Sequence, residues 1–174
     1  MKSWMRTNTG VSENNVFEMD WWEERKLSNS DVKIVFTPAN HWCKRSVSDD
    51  NTVLWGSWSV IGPNNSFWFG GDTAYSEAFK QIGEKYGPFS MAAIPIGAYQ
   101  PNWFMKYQHV HPGEAVEIHK DVKSQKSLGI HWGTFKLTVE NYLEPPKLLD
   151  TYLNNNNIPT DDFVTVNIGG SVEP

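Results

Sequence analysis

The sequence predicts an α/β protein in which helices pack against a mixed sheet. Short runs rich in β-branched and aromatic residues alternate with segments whose apolar residues recur at helical spacing. The first strands include a hairpin, whereas the later strands alternate with helices, which is typical of a layered architecture with a mixed sheet. The chain has 174 residues, enough for one domain with a hydrophobic core.

Strands dominate the N-terminal part of the chain. Alternating apolar and polar residues over 16–19 predict the first strand, and the β-branched run over 32–36 predicts the second. Residues 55–61 and 67–69 flank the turn signal Gly-Pro-Asn-Asn at 62–65. We therefore expect the third and fourth strands to form a hairpin.

Helical spacing appears after this hairpin. Ala78, Phe79, Ile82 and Tyr86 fall on one face of a helix, and Gly-Pro at 87–88 ends it. A long aromatic loop is expected over 97–111, before Pro112 at the first turn of a helix. The other predicted elements are a buried strand over 91–96, a strand over 127–132, a helix that includes 148–153 and a last strand over 163–168.

Composition narrows the function classes. A net charge of −5 argues against a nucleic-acid binder, which would present a basic face. Cys43 is the single cysteine, so an internal disulfide is impossible and a reducing compartment fits best. No apolar run approaches the roughly 20 residues of a membrane span, and the first residues lack the apolar core of a signal peptide. We expect an intracellular protein that is not secreted, either cytoplasmic or peripheral on a membrane.

Three polar side chains follow the ends of predicted strands. His41 comes after the second strand, Asp72 after the fourth, and His131 lies at the end of the strand over 127–132. Ligand sites in α/β sheets gather beyond the carboxyl ends of strands, and imidazoles with a carboxylate suit zinc. The alternatives are a hydrogen-bonded structural histidine and a plain turn or helix cap at Gly-Asp-Thr.

Further candidates lie in the loops. Lys44 and Arg45 would hold a substrate phosphate, or form an ordinary solvated basic loop. His109 is a candidate proton donor to a leaving group. We expect His111 to cap the helix that Pro112 opens and His119 to be structural. Cys43 is best read as a small buried thiol, and most of the nine tryptophans as core residues, with a lipid interface as the alternative.

Several strings are specific enough to indicate a family. "FTPANHWCKR", "LWGSWSV", "FGGDTAY", "AAIPIGAYQPNWFMKYQHV" and "IHWGTF" resemble the metallo-β-lactamase-fold phospholipases that hydrolyse N-acylphosphatidylethanolamines. The resemblance implies an αββα sandwich and a phospholipase D reaction with two zinc ions, which releases an N-acylethanolamine and leaves phosphatidic acid. It matches His41, Asp72 and His131 to metal ligands, with Asp72 bridging both ions.

The chain departs from this family in one respect. The family motif His-x-His-x-Asp-His is missing, because no histidine precedes His41. We therefore expect residues 1–174 to form a partial domain, the C-terminal half of the sandwich, with an apolar sheet surface left open.

The resemblance also implies partners. They are a phospholipid substrate and a membrane surface, with a homodimer as a candidate assembly. Arg45 would contact the phosphate, and the loop around Tyr99 would receive lipid chains or pack in the core. Two other functions compete: a non-catalytic short form that binds a membrane or a partner protein, and a related hydrolase of soluble phosphodiesters.

Overall fold

A computed structural model describes residues 1–174 and contains one seven-stranded sheet. The strands lie side by side in chain order, β1 to β7. The first four pair antiparallel, and the pairs from β4 to β7 are parallel, so the sheet is mixed as expected. Their bounds are Glu24–Lys26, Lys33–Thr37, Ser57–Ile61, Ser66–Phe69, Phe89–Pro95, Ser124–Ile130 and Phe163–Val164.

Five α-helices accompany the sheet. In chain order, α1 to α5 are Lys2–Thr9, Ala78–Tyr86, Asn102–Met105, Pro112–Asp121 and Glu144–Asn155. The helix α2 occupies the predicted span, and its buried side chains include Phe79 and Ile82. Since β4 to β7 are parallel, α2, α4 and α5 serve as the crossovers that such strands require.

The sheet register separates two faces. Val35, Ser59, Trp68, Ala92 and Ser127 occupy successive paired positions across β2 to β6, and all are fully buried. This face carries the main hydrophobic core, to which α2, α4 and α5 contribute. Burial of apolar surface here is the main stabilising term of the fold.

The opposite face is also apolar but less covered. Its central row pairs Phe36, Trp58, Phe69, Ala93 and Leu128 across the same five strands. A cavity of about 330 Å³ separates residues 16–19 from the Phe36 and Trp58 end of this row. Phe69 remains 42% exposed. We call the row and its neighbours on the same side the open face.

One N-terminal prediction was wrong, and one N-terminal helix was missed. Residues 16–19 are not a strand, and the first strand is instead Glu24–Lys26, whose three side chains are charged and exposed. A short charged edge strand of this kind carries no apolar alternation that a sequence could reveal. The helix α1 was also missed, because it buries none of its residues and therefore has no apolar face to detect.

The two C-terminal strands differ from their predicted spans, and β6 covers Ser124–Ile130 rather than 127–132. The strand β6 ends at Ile130, and His131 leaves it with a φ of 58°. The last strand covers only Phe163–Val164 rather than 163–168. Only the first two residues of the predicted span pair with β6, opposite Ser127 and Leu128.

The two predicted structural histidines are confirmed. His111 is the N-cap of α4: its Nδ1 accepts a hydrogen bond from the Gly113 N–H at 3.1 Å, and Glu114 accepts one from the His111 N–H at 2.9 Å. His119 is buried, with its Nδ1 2.8 Å from the Ser127 hydroxyl.

Candidate metal centre

Four loops meet at one edge of the sheet. His41 follows β2, Asp72 follows β4, His109 follows β5 and the short helix α3, and His131 follows β6. The strands β4, β5 and β6 are parallel to one another, and β2 points the same way because it is two antiparallel pairings away from β4. Their carboxyl ends therefore share one edge, which is where α/β sheets collect ligand sites.

Hydrogen bonds around Thr73 hold three of these loops together. The Asn40 N–H donates to the Thr73 hydroxyl and the Ala74 N–H to the Asn40 carbonyl, both at 2.8 Å. The Val110 N–H donates to the Thr73 carbonyl at 2.9 Å. Gly71, at φ 65°, makes the sharp turn before Asp72 that a side chain would strain.

The side chains form a compact cluster. One donor atom each from His41, Asp72 and His109 lies within 4.8 Å of the others. His131 joins them through its Nε2, which is 3.4 Å from the Asp72 Oδ2. The His109 and His131 rings stack with centroids 5.1 Å apart, and the His41 ring meets the His109 ring edge-on at 5.2 Å. We call these four residues the cluster.

Charge and burial act in opposite directions within the cluster. The contact with His131 lowers the pKa of Asp72, and the same contact raises the pKa of His131. Burial lowers the pKa of His109 to about 4. At neutral pH, Asp72 is therefore an ionised oxygen donor and His109 a neutral imidazole, the protonation states in which these side chains bind metal ions.

Three buried nitrogen atoms of the cluster have no hydrogen-bond partner. The Nδ1 of His41 lies 3.0 Å from the Trp42 carbonyl, an acceptor, so this nitrogen carries the proton and Nε2 keeps its lone pair. The His41 Nε2 and the His109 Nδ1 are buried and unsatisfied, and so is the His131 Nδ1, the nitrogen that does not contact Asp72. A buried polar atom without a partner is unfavourable. A cation held between imidazole and carboxylate donors would satisfy the His41 and His109 nitrogens, so these residues fit zinc.

The structure thus brings together all three residues predicted as ligands, and it adds His109. From the sequence we predicted that His109 transfers a proton. Its position after another parallel strand would have indicated that it lies at the same sheet edge as the predicted ligands. Cys43 is buried, as expected.

The two predicted substrate contacts lie elsewhere. Arg45 is exposed on the loop after Cys43, where its Nη1 donates to the Lys44 carbonyl at 3.1 Å. Tyr99 is fully buried, and its hydroxyl donates to the Glu144 carboxylate at 2.7 Å. This placement favours packing in the core over contact with a ligand for Tyr99, and the role of Arg45 stays a prediction.

A cavity of about 390 Å³ opens beside the cluster. His131 lines one side, and the loop over 133–142 lines most of the rest. The Glu140 carboxylate accepts a hydrogen bond from the Ala98 N–H at 2.7 Å, so this loop is tied to the segment that follows β5. None of the helices combines the length and the apolar character that a bilayer crossing requires.

Comparisons with known proteins agree with this architecture. A family model described as the beta-lactamase superfamily domain matches residues 2–132. The chain is 46% identical to the N-acyl-phosphatidylethanolamine-hydrolyzing phospholipase D 1 of Caenorhabditis elegans, over 97% of this chain and 49% of that protein. It is 41% identical to the mitochondrial N-acyl-phosphatidylethanolamine-hydrolyzing phospholipase D of Saccharomyces cerevisiae, over 86% of this chain and 32% of that protein.

A solved structure supports the fold. Igni18, a metallo hydrolase from Ignicoccus hospitalis, superposes with a TM-score of 0.60 at 18% identity, over 85% of this chain and 56% of that one. Such a level of identity bears on the fold alone. The chain spans about half the length of the Caenorhabditis relative and about a third of the yeast relative.

Proposed function

Because the chain belongs to the metallo-β-lactamase superfamily, we propose that its cluster takes part in zinc-dependent hydrolysis of N-acylphosphatidylethanolamine. Water attacks phosphorus, the bond from phosphorus to the ethanolamine oxygen breaks, and the oxygen leaves with a proton. The products are N-acylethanolamine and phosphatidic acid. The observation that carries the proposal is the convergence of three imidazoles and one carboxylate at a single sheet edge.

The donor set suits one metal ion better than two. His41, Asp72 and His109 have donor atoms close enough to share an ion, and a catalytic zinc commonly has three protein ligands. The chain has five histidines, and His111 and His119 are engaged in a helix cap and a core hydrogen bond. When bound, zinc supplies Lewis acidity that lowers the pKa of water and draws charge from phosphoryl oxygens.

Each cluster residue has a distinct task in this proposal. Asp72 holds negative charge where a cation is needed, and His131 keeps that carboxylate oriented through the 3.4 Å contact. His41 offers its Nε2 because the Trp42 carbonyl holds the opposite nitrogen. His109 serves as a ligand rather than a proton donor, since burial keeps its imidazole neutral at pH 7.

The lipid substrate sets the wider context. The proposed partners are a phospholipid and an intracellular membrane surface on which the protein acts peripherally. We also propose that the sheet is one layer, the C-terminal half, of an αββα sandwich whose second layer would lie on the open face. The exposure of Phe69 on that face and the 49% coverage of the Caenorhabditis relative support this arrangement.

Zinc content tests the site. We expect His41→Ala, Asp72→Ala and His109→Ala to lose bound zinc, measured by elemental analysis of the purified full chain. His119→Ala is the control, because its imidazole faces Ser127 rather than the cluster. Equal zinc in all four variants would remove the site assignment, whereas a His109→Ala protein that keeps zinc but loses hydrolysis would restore the proton-donor role.

One observation favours a second function, binding without hydrolysis. Three histidines, His41, His109 and His131, are free to bind a metal ion. Three are too few for the two-zinc site that the family resemblance implies. Release of N-acylethanolamine from synthetic N-acylphosphatidylethanolamine, followed by mass spectrometry, separates the two functions. Turnover that is lost in Asp72→Ala supports the enzyme, and zinc binding without turnover supports the binding form.

A further inference from the structure

Two surface tips beside the cluster, one at the helix α3 and one in the loop after β6, expose large apolar side chains. In one, Trp103 is 74% exposed, and Phe104 and Tyr107 are more than half exposed. In the other, Phe135 is 78% exposed, and Leu137 and Val139 exceed 60%. We call these two tips, residues 103–107 and 135–139, the apolar rim.

Both tips belong to connections that begin at the sheet edge where the cluster lies. The first lies between β5 and His109, and the second follows β6 and His131. The hydrogen bond from the Ala98 N–H to Glu140 joins the two loops at their bases. The rim therefore stands beside the cluster and the 390 Å³ cavity that His131 lines.

The rim is positively charged, whereas the whole chain is negatively charged. The net charge of the protein is −5, yet residues 99–113 and 131–139 contain no carboxylate. Each tip carries one exposed lysine between its apolar residues, Lys106 and Lys136. Lysines among exposed aromatics place their ammonium groups at lipid headgroups while the apolar neighbours enter the acyl region.

We propose that the apolar rim docks on a bilayer that contains anionic phospholipid, so that the cluster faces the membrane. The inference rests on the proposed function, because that function requires a phospholipid at this edge of the sheet. Binding to the bilayer itself requires neither zinc nor hydrolysis. Protruding single side chains on the α3 segment and on the loop after β6 suit insertion between headgroups better than the flat packing of a protein interface. Apolar contacts and the two lysines together provide the two signals that stable attachment needs.

Vesicle sedimentation tests the docking with lipids that are not the proposed substrate. We expect the full chain to bind phosphatidylcholine vesicles that contain phosphatidylserine more tightly than pure phosphatidylcholine vesicles, with added salt weakening the difference. Phe104→Ser combined with Leu137→Ser should weaken binding at least about tenfold. Lys106→Gln combined with Lys136→Gln should remove the preference for phosphatidylserine. Each lysine is expected to contribute about fivefold to the affinity for vesicles that contain phosphatidylserine.

Matched controls lie at the opposite edge of the sheet. Leu27, 42% exposed, precedes β2, and Lys123 precedes β6, so Leu27→Ser and Lys123→Gln should bind as the wild type does. Asp72→Asn should also bind fully, which separates docking from the zinc and hydrolysis tests.

Three outcomes would overturn the proposal. They are a wild type that binds neither vesicle, equal losses in the rim and control variants, and a rim variant that converts an oligomer of this chain into a monomer. The last would identify the rim as a protein interface. The double variant could lose binding because it fails to fold. The single variant Phe104→Ser, with its circular dichroism spectrum compared with that of the wild type, tests binding in a protein that is folded.

Discussion

At the scale of single residues, the cluster depends on close backbone approach as much as on its ligands. Gly97 follows β5 and faces the loop that carries His131. A Cβ at this glycine would lie 2.2 Å from the His131 carbonyl oxygen, a backbone atom that cannot rotate away. The absence of a side chain at Gly97 therefore allows β5 and β6 to end side by side, with His131 in reach of Asp72.

Substituting Gly97 tests this requirement. We expect Gly97→Ala to lower the free energy of unfolding by about 3 kcal/mol, at the upper end of overpacking effects, and to reduce zinc content by displacing His131. Urea denaturation and elemental analysis measure the two effects.

The matched control is Gly10→Ala. Its Cβ meets nothing within 4 Å, although φ is 71°, so it should lose only about 1–2 kcal/mol from its backbone conformation and no zinc. A Gly97→Ala protein as stable as wild type, with full zinc content, would show that the two loops can separate without harm.

The same scale shows what the sequence could reveal about the site. His41, Asp72 and His131 were predictable because each directly follows a recognisable strand. His109 was assigned another role because it lies near the end of the long aromatic segment over 97–111, far along the chain from the strand before it. The hydrogen bond from the Val110 N–H to the Thr73 carbonyl brings His109 back to the sheet edge, and no local pattern in the sequence shows this contact. The burial of Tyr99 was equally hidden, since its partner Glu144 lies 45 positions away in the chain.

At the scale of elements, α4 shows how a histidine can serve as a cap. His111 accepts the Gly113 N–H through its neutral Nδ1, and protonation would remove this acceptor and place a positive charge at a helix N-terminus. Burial lowers the pKa of His111. The folded state therefore resists protonation that the unfolded chain accepts below about pH 6.5.

The sign of the resulting pH dependence follows. Stability from this cap is complete above pH 6.5 and is lost as pH falls through the lowered pKa, because the unfolded chain then binds more protons. We expect His111→Asn, which caps without titrating, to lose less free energy of unfolding than wild type between pH 7.5 and pH 5.

Urea denaturation at several pH values measures this difference. Gln125→Asn, at an exposed position of β6, should parallel the wild type. Parallel curves for His111→Asn and wild type would mean that the cap does not titrate in this range.

Elements with strong local signals were predictable, and those without were not. The span of α2 was readable because four of its residues share a buried face, and its end because Gly87-Pro88 cannot continue a helix. The strand β1 exists only because it pairs with β2, an interaction that no local pattern of Glu-Arg-Lys encodes.

At the scale of the whole molecule, the two faces of the sheet differ in how they are covered. The face that includes Trp68 is sealed by helices, and its central row is fully buried. The central row of the open face contains no polar residue, yet Phe69 is 42% exposed. The sequence-based expectation of an uncovered apolar sheet surface rested on the family resemblance, because the alternation of a strand does not say whether a second layer covers it.

An exposed apolar sheet face should promote association between copies of this chain when no second layer covers it. We expect the weight-average sedimentation coefficient of the wild type to rise with concentration. Phe69→Thr keeps a residue suited to strands but removes apolar area from both copies, so it should weaken the association about tenfold. Val47→Thr removes an exposed apolar side chain from the loop after β2, outside the sheet, and should leave the association unchanged. If Val47→Thr and Phe69→Thr have the same effect, association arises from general apolar exposure rather than from this face. If the wild type stays monomeric at every concentration, residues 16–19 and the strand side chains already shield the face enough to prevent association.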